Sequence, residues 1–152
     1  MSDPISIRRA LPSERGILEA LQRRASLANP GDRDAILAHP DAIDLPVLQL
    51  DSGQVCVAVQ RAAILGFAAI LPRTDGDMEL DALFVEPRLW RQGIGRRLVK
   101  YCEDAARTVG ANALYVIGNP HAEKFYGASG FEKLGVCATR FGEGILYRRA
   151  LD

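Results

Sequence analysis

Apolar residues follow two different periods along the chain, and the change between them divides the sequence. Ile5 and Ile7 alternate with polar residues, which predicts a short opening strand. Helical spacing follows at Ile17, Leu18, Leu21, Ala25 and Ala28. The Asn-Pro-Gly at 29–31 ends that helix, and a second short helix is predicted over 32–39. Residues 41–50 show no clear period because Pro46 interrupts their apolar run.

From residue 51 the period changes to two, with many β-branched residues. Strands are predicted over 55–59 and 64–71, and a further strand begins at residue 78 and ends at Pro87. No helix separates these three strands, so they should form an antiparallel meander. Helical spacing returns at Ile94, Leu98 and Cys102, before a fifth strand over 113–117. This order requires strands four and five to be parallel, with the helix as crossover. The continuous apolar run of strand five predicts burial on both of its faces. A helix over 122–128 and strands over 131–138 and 145–150 complete the chain.

Length and composition predict one soluble domain spanning residues 1–152, and the order of its helices and strands indicates a mixed α/β class. The chain is 48% hydrophobic and 25% charged, as is usual for globular proteins. No apolar run approaches the ~20 residues of a membrane span, and the N-terminus lacks a signal-peptide core, so we expect a cytoplasmic protein. Nineteen basic residues balance nineteen acidic ones, which argues against nucleic-acid or membrane partners. Neither the three cysteines, expected as buried free thiols, nor any other cluster has metal-ligand spacing, so no metal is predicted.

The strongest chemical signal lies in residues 78–100, where an apolar strand runs into a glycine-containing turn and then a helix. Pro87 ends the strand, and Gly93 and Gly95 allow unusual backbone conformations right at the helix start. Unpaired N–H groups and the positive end of the helix dipole would therefore face a ligand, which favours a phosphate or pyrophosphate. Five cationic side chains surround this segment: Arg88, Arg91, Arg96, Arg97 and Lys100. Two familiar phosphate loops fail here, because a dinucleotide fingerprint needs glycine where Leu98 stands and the P-loop's Gly-Lys-Ser/Thr is absent.

This loop resembles the acyl-CoA loop of the GNAT (GCN5-related) N-acetyltransferase superfamily, Gln/Arg-x-x-Gly-x-Gly/Ala, with Trp90 in place of its first residue. Two later segments also resemble family motifs. Gly118-Asn-Pro-His-Ala122 is similar to an Asn-x-x-Ala element, and the segment from Phe125 to Phe131 to a Phe-Tyr-x-x-x-Gly-Phe signature. The resemblance implies a mostly antiparallel twisted sheet flanked by helices, in which the parallel strands four and five splay apart.

The resemblance also implies acetyl-CoA as cosubstrate. Beyond a bulge in strand four, the freed backbone of Leu83, Phe84 and Val85 would pair with pantetheine amides, much as a peptide adds to a sheet edge. The pyrophosphate would lie on the loop. The loop contacts would come from Arg91, Gln92, Gly93, Ile94, Gly95 and Arg96. Asn119 and Ala122 belong to the element after strand five, and Asn119 is either a turn residue or a CoA contact. Trp90 either caps the nucleotide or fills a gap under the loop.

Three residues are candidates for proton transfer. Tyr126 matches the family tyrosine that faces the CoA sulfur, and its alternative role is a core aromatic residue. Glu79 and Asp81 alternate on one face of a strand expected to be central, where an unpaired carboxylate is costly. Either they pair with arginines or reach solvent, or one of them removes a proton from an ammonium acceptor, directly or through water.

Together these residues and the resemblance predict an enzyme that transfers an acetyl group from acetyl-CoA to a primary amine. The resemblance implies that the amine attacks directly in a ternary complex. The acceptor would be a small molecule or a peptide. One alternative is a non-catalytic acyl-CoA-binding sensor, and another is an acetyltransferase of protein N-termini or lysines, which needs an open groove. Contacts to the acceptor should come from residues 25–50 and 138–144. Pairing of the last strand with a neighbouring copy would give a homodimer.

Overall fold

The fold is described from a computed structural model that covers residues 3–152. Within them, seven strands form one sheet in the order β1-β2-β3-β4-β5-β7-β6. The strands are β1 (Ser6–Arg9), β2 (Val55–Gln60), β3 (Ala63–Pro72), β4 (Met78–Val85), β5 (Ala113–Gly118), β6 (Glu132–Thr139) and β7 (Gly142–Ala150). The β4–β5 pair is parallel, and every other neighbouring pair is antiparallel. The predicted mixed sheet with one parallel pair is therefore confirmed. The expectation that the last strand could pair with a second copy is wrong, because β7 lies between β5 and β6 and both of its edges are paired.

Helices cover both faces of the sheet. They are α1 (Arg15–Ala28), α2 (Arg33–Ala38), α3 (Val47–Asp51), α4 (Ile94–Thr108) and α5 (Glu123–Ala128). The helix α3 lies in the segment that showed no period, because five residues are too short to display one. Pro46 does not interrupt it but directly precedes its first residue, where a missing N–H costs nothing.

Two apolar clusters hold the sheet between these helices. On one face, Leu98 and Cys102 of α4 pack against Met78 and Leu80 of β4. The second cluster, on the opposite face, joins α1 to the meander. Its members include Leu18, Leu21, Val57, Phe67 and Phe84. Both faces of β4 are thus anchored, and its position between the two layers is fixed.

Strand β4 carries a bulge and then separates from β5. Its register with β3 shifts between Ala69 and Ile70, which face Ala82 and Leu80, so Asp81 is the extra residue. Parallel pairing with β5 covers Met78–Leu80 and ends there. The two strands therefore splay at their C-terminal ends, as the family resemblance implied.

Two expectations about burial are wrong. Strand β5 is not buried on both faces, since Tyr115 is half-buried and Ile117 is 46% exposed beside a cavity. Cys56 and Cys102 are buried free thiols with sulfur atoms 4.0 Å apart, but Cys137 on β6 is only half-buried. Within residues 3–152, no helix combines the length and apolarity that crossing a membrane requires.

Candidate active site

The splay leaves peptide groups of β4 facing a gap. Just past β4, the Glu86 N–H donates to the Leu65 carbonyl at 2.9 Å, and antiparallel pairs alternate from there along the strand. Phe84 therefore directs its peptide groups toward Phe67 of β3, whereas Leu83 and Val85 direct theirs toward the gap. The Phe84 side chain, in contrast, lines a cavity on the α1 face of the sheet.

Trp90 ties the following loop back to the end of β4. Its indole N–H donates to the Val85 carbonyl at 2.8 Å. The side chain is thus an anchor for the loop, which neither of the two sequence alternatives anticipated. Because this bond uses one acceptor, the Leu83 N–H and carbonyl and the Val85 N–H are the groups left to face the gap.

The loop arranges its amides for an anion. Arg91 and Gly93 both adopt left-handed backbone conformations, with φ of 65° and 85°. Left-handed residues within a turn can direct successive backbone N–H groups into one concavity that holds an anion. Gly93 is the N-cap of α4, and no side chain of the described residues caps that helix. Ile94 is buried, so it contributes through its backbone, and Gly95 lies against Phe125, 3.2 Å from where a Cβ would stand.

Cationic side chains near this loop are used differently from one another. Arg91 and Gln92 are exposed on the loop itself. Arg96 donates to the Ala128 carbonyl at 2.6 Å and so links α4 to α5, while Arg97 donates to the Ile5 carbonyl at 2.6 Å. The remaining N–H groups of Arg96, together with Arg91, supply positive charge beside the helix start.

Tyr126 sits in an aromatic cluster below the end of β5. Its ring lies 5.1 Å from Phe125 and from Tyr147 and 5.5 Å from Phe131, and the side chain is only 7% exposed. A Cβ on Gly118 would stand 2.8 Å from the Tyr126 ring, so this approach to β5 requires glycine. Burial, and then the nearby Tyr147 and Asp32, raise the pKa of Tyr126. The phenol therefore keeps its proton at neutral pH.

Glu79 lies opposite Tyr115 in the β4–β5 ladder. Because Ile117 is two residues further on the same face of β5, Glu79 lies about 7 Å along the strand from the cavity lined by Ile117. Burial and the charge of Asp81 raise the pKa of Glu79, and Arg73 partly opposes them. Asp81 itself is exposed at the bulge. Neither carboxylate lines the cavity, so a role in proton transfer requires a relay through water.

Asn119 and Ala122 form the turn after β5. The Asn119 side-chain oxygen accepts from the His121 N–H at 2.9 Å, and its amide donates to Asp32 at 3.0 Å. The turn role of Asn119 is therefore present in the structure, together with a link to the loop between α1 and α2. Ala122 ends this short turn and packs, half-buried, on the α4 side of the sheet.

A cavity of about 270 Å³ opens where β4 and β5 separate. Phe84, Ile117 and Gly118 form its floor. One wall comes from α1, α2 and their loop, and the other from the hairpin between β6 and β7. The polar lining comprises Gln22, Ser26, Asp32, Asn119, Thr139 and Glu143. The sequence analysis expected the acceptor contacts in residues 25–50 and 138–144, which contribute to these two walls. It did not identify their polar side chains. Local sequence does not distinguish Asp32 from a helix cap or Glu143 from an ordinary hairpin residue.

The model of the acetyltransferase (GNAT) family matches residues 19–131, so the chain belongs to this family. Its fold is similar to PaiA N-acetyltransferase of Thermoplasma acidophilum with coenzyme A, at 17% identity and TM-score 0.76 over 97% of this chain and 99% of that one. YncA of Salmonella typhimurium, solved with acetyl-CoA, gives 18% identity and TM-score 0.73 over 99% and 95%. An aminoglycoside 6'-N-acetyltransferase with coenzyme A gives 19% identity and TM-score 0.72 over 98% and 97%. No curated protein matches the sequence.

Proposed function

We propose that the protein transfers an acetyl group from acetyl-CoA to the primary amine of a small acceptor. The observation that carries this proposal is the splay of β4 from β5, which leaves peptide groups of Leu83 and Val85 facing a gap. That gap lies between the uncapped start of α4 and the acidic cavity on the other side of the sheet. The similar folds solved with coenzyme A or acetyl-CoA support the same choice of cosubstrate.

The chain's residues fit such a cosubstrate along its length. Acetyl-CoA, when bound, supplies an acetyl thioester and a thiol leaving group. N–H groups at Gly93, Ile94 and Gly95 would hold its pyrophosphate, supported by Arg91. Leu83 and Val85 would pair with pantetheine and donate a backbone N–H to the thioester carbonyl, stabilising negative charge as it develops on that oxygen.

Proton transfer would use groups on both sides of the gap. The acceptor nitrogen forms a bond to the acetyl carbon as the carbon–sulfur bond breaks. Glu79, whose pKa is raised by burial, would take the amine proton through water, with Asp81 as the alternative base. Tyr126 would donate its proton toward the departing sulfur. The roles of all three residues are part of this proposal.

The cavity favours a small acceptor over a peptide. Its volume of about 270 Å³ is near the lower end of the usual range for small-molecule pockets. A peptide would need an extended groove, whereas this cavity has a helical wall and a hairpin wall. His39 and Phe141 join these walls, with ring centroids 5.4 Å apart.

The test combines cosubstrate binding with turnover. Calorimetry should detect acetyl-CoA binding, and release of the CoA thiol should depend on an added amine drawn from polyamines, amino acids, aminoglycosides and peptides. Binding without amine-dependent release would favour the sensor alternative. Absence of acetyl-CoA binding would refute the proposed function.

A further inference from the structure

The acceptor cavity carries charge of one sign. Among the described residues that line it, the charged ones are Asp32 and Glu143, and none is Lys, Arg or His. Ser26, which is 3% exposed, adds a hydroxyl group, and Phe84 and Ile117 form an apolar floor. A carboxylate beside apolar walls attracts an ammonium group more strongly than one in bulk water does. These two carboxylates would repel a carboxylate group on a ligand.

Asp32 lines the cavity where the loop between α1 and α2 meets the end of β5. It directly precedes α2, yet its side chain does not cap that helix and instead accepts a hydrogen bond from Asn119 at 3.0 Å. Asn119 follows the last residue of β5, where the two strands have separated. The charge of Asp32 also contributes to the raised pKa of Tyr126, which places this carboxylate near the proposed acid.

Glu143 lies on the opposite wall. Glu143 is the second residue of β7, close to the turn that carries Phe141, and its side chain is exposed. Arg140 of the same hairpin has its guanidinium over the Phe141 ring at 4.8 Å and does not line the cavity. The exposed Glu143 is thus placed at the solvent side, on a different wall from Asp32.

Asp32 and Glu143 lie on different walls, so each carboxylate can bind one of two cationic groups of the same ligand. An attacking nitrogen must lose its proton, so its ammonium is bound only before reaction, whereas a second cationic group remains charged throughout. We infer, resting on the proposed function, that the acceptor is a small amine with a second cationic group and no carboxylate. Asp32 would bind the reacting ammonium and Glu143 the second cation.

A matched series of amines tests this inference. Diaminobutane, butylamine and γ-aminobutyrate share a four-carbon chain and one primary amine but end in a cation, a methyl group and a carboxylate. Each is titrated by calorimetry into protein saturated with CoA, and each is assayed as an acceptor with acetyl-CoA. We expect diaminobutane to bind ~2- to 5-fold more tightly than butylamine, as an ion pair with the exposed Glu143 carboxylate allows, and γ-aminobutyrate to bind most weakly.

Variants assign the two ends. Glu143→Gln should remove the preference for diaminobutane over butylamine, because it weakens binding of diaminobutane more than binding of butylamine. Asp32→Asn should weaken binding of all three amines, while its side-chain oxygen can still accept from Asn119. Asp34→Asn is the control, because Asp34 lies in α2 beside Asp32 but does not line the cavity. Glu143→Lys should reverse the order so that γ-aminobutyrate binds better than diaminobutane.

Each outcome bears on the inference separately from the proposed function. If CoA binds but the three amines bind equally, or none binds, the inference is overturned and the acetyl-CoA site stands. An unchanged order of affinities in Glu143→Gln also overturns it. Failure of CoA itself to bind removes the proposed function first.

Discussion

Replacing Tyr126 with Phe removes one oxygen atom from the proposed acid. The ring contacts with Phe125, Phe131 and Tyr147 do not involve that oxygen, so the aromatic cluster and the fold should persist. We expect acetyl-CoA affinity to remain near normal, because the cofactor contacts proposed above come from β4 and the start of α4. The effect should appear in kcat.

The size of the expected loss in kcat follows from the pKa values of the CoA thiol and the Tyr126 phenol. A thiol has a pKa near ~8.5 and an unperturbed tyrosine near ~10, so complete transfer is uphill by at least about 2 kcal/mol. Because burial raises the pKa of Tyr126 further, transfer is harder still and hydrogen-bond donation to the sulfur is the larger contribution. General-acid effects commonly reach ~10²- to 10⁴-fold, and donation alone should give a value at or below the low end of that range. We therefore expect kcat to fall by ~10- to 100-fold.

Tyr147 provides a matched control. Its ring lies 5.1 Å from that of Tyr126, it is 1% exposed, and its hydroxyl has no hydrogen-bond partner within the described chain. Tyr147→Phe makes the same chemical change one ring away and should leave kcat unchanged. Since it removes a buried polar group without a partner, it should be neutral or slightly stabilising, which thermal unfolding would show.

The assay follows CoA thiol release at saturating acetyl-CoA and acceptor, with a pre-steady-state trace to establish that chemistry is rate-limiting. Equal kcat in Tyr126→Phe and wild type, without a burst in either, would return Tyr126 to a packing role. Equal losses in the Tyr126 and Tyr147 variants would mean that cluster packing, not the hydroxyl, produces the effect.

Two further predictions concern the loop and the base. Gly95→Glu should abolish acetyl-CoA binding in calorimetry. Gly95→Gln contacts the same Phe125 ring without adding negative charge, so it should weaken binding less. Equal affinity in both variants and the wild type would contradict the anion site. If Glu79 is the base, kcat/KM should fall as pH drops through its raised pKa. Asp81→Asn removes a like charge and should move that fall to lower pH, and Glu79→Gln should eliminate it; unchanged pH profiles in both variants would exclude Glu79.

Local chemistry explains which parts of this site could be predicted from the sequence. Pro87 and the glycines at 93 and 95 act within a few residues, so the end of β4 and the start of α4 were predictable from composition and spacing alone. Period two identified the strands of the meander for the same reason, whereas β5 was identified from a continuous apolar run. The α4 helix followed from apolar spacing over four turns, whereas α3, with five residues, offered no comparable signal.

Contacts between distant segments could not be predicted in this way. The bond from Trp90 to the Val85 carbonyl depends on how the loop folds back, although the two residues are close in sequence. The bond between Asn119 and Asp32 joins the end of β5 to the loop before α2 and appears only once the sheet has formed. The sequence alone does not show why residue 118 is glycine, because the reason is the nearby Tyr126 ring, which leaves no room for a Cβ.

The bulge in β4 is the feature that most changes the interpretation of the candidate base. Strict alternation would place Leu83 and Val85 on the same face as Glu79. In the structure they pack instead with Met78 and Leu80 on the α4 side, because Asp81 adds one residue and reverses the alternation. Phe84, on the cavity side, consequently shares its face with Glu79. One inserted residue therefore leaves Glu79, whose pKa is raised, on the same face as the Phe84 side chain that lines the cavity, while Leu83 and Val85 remain on the α4 side.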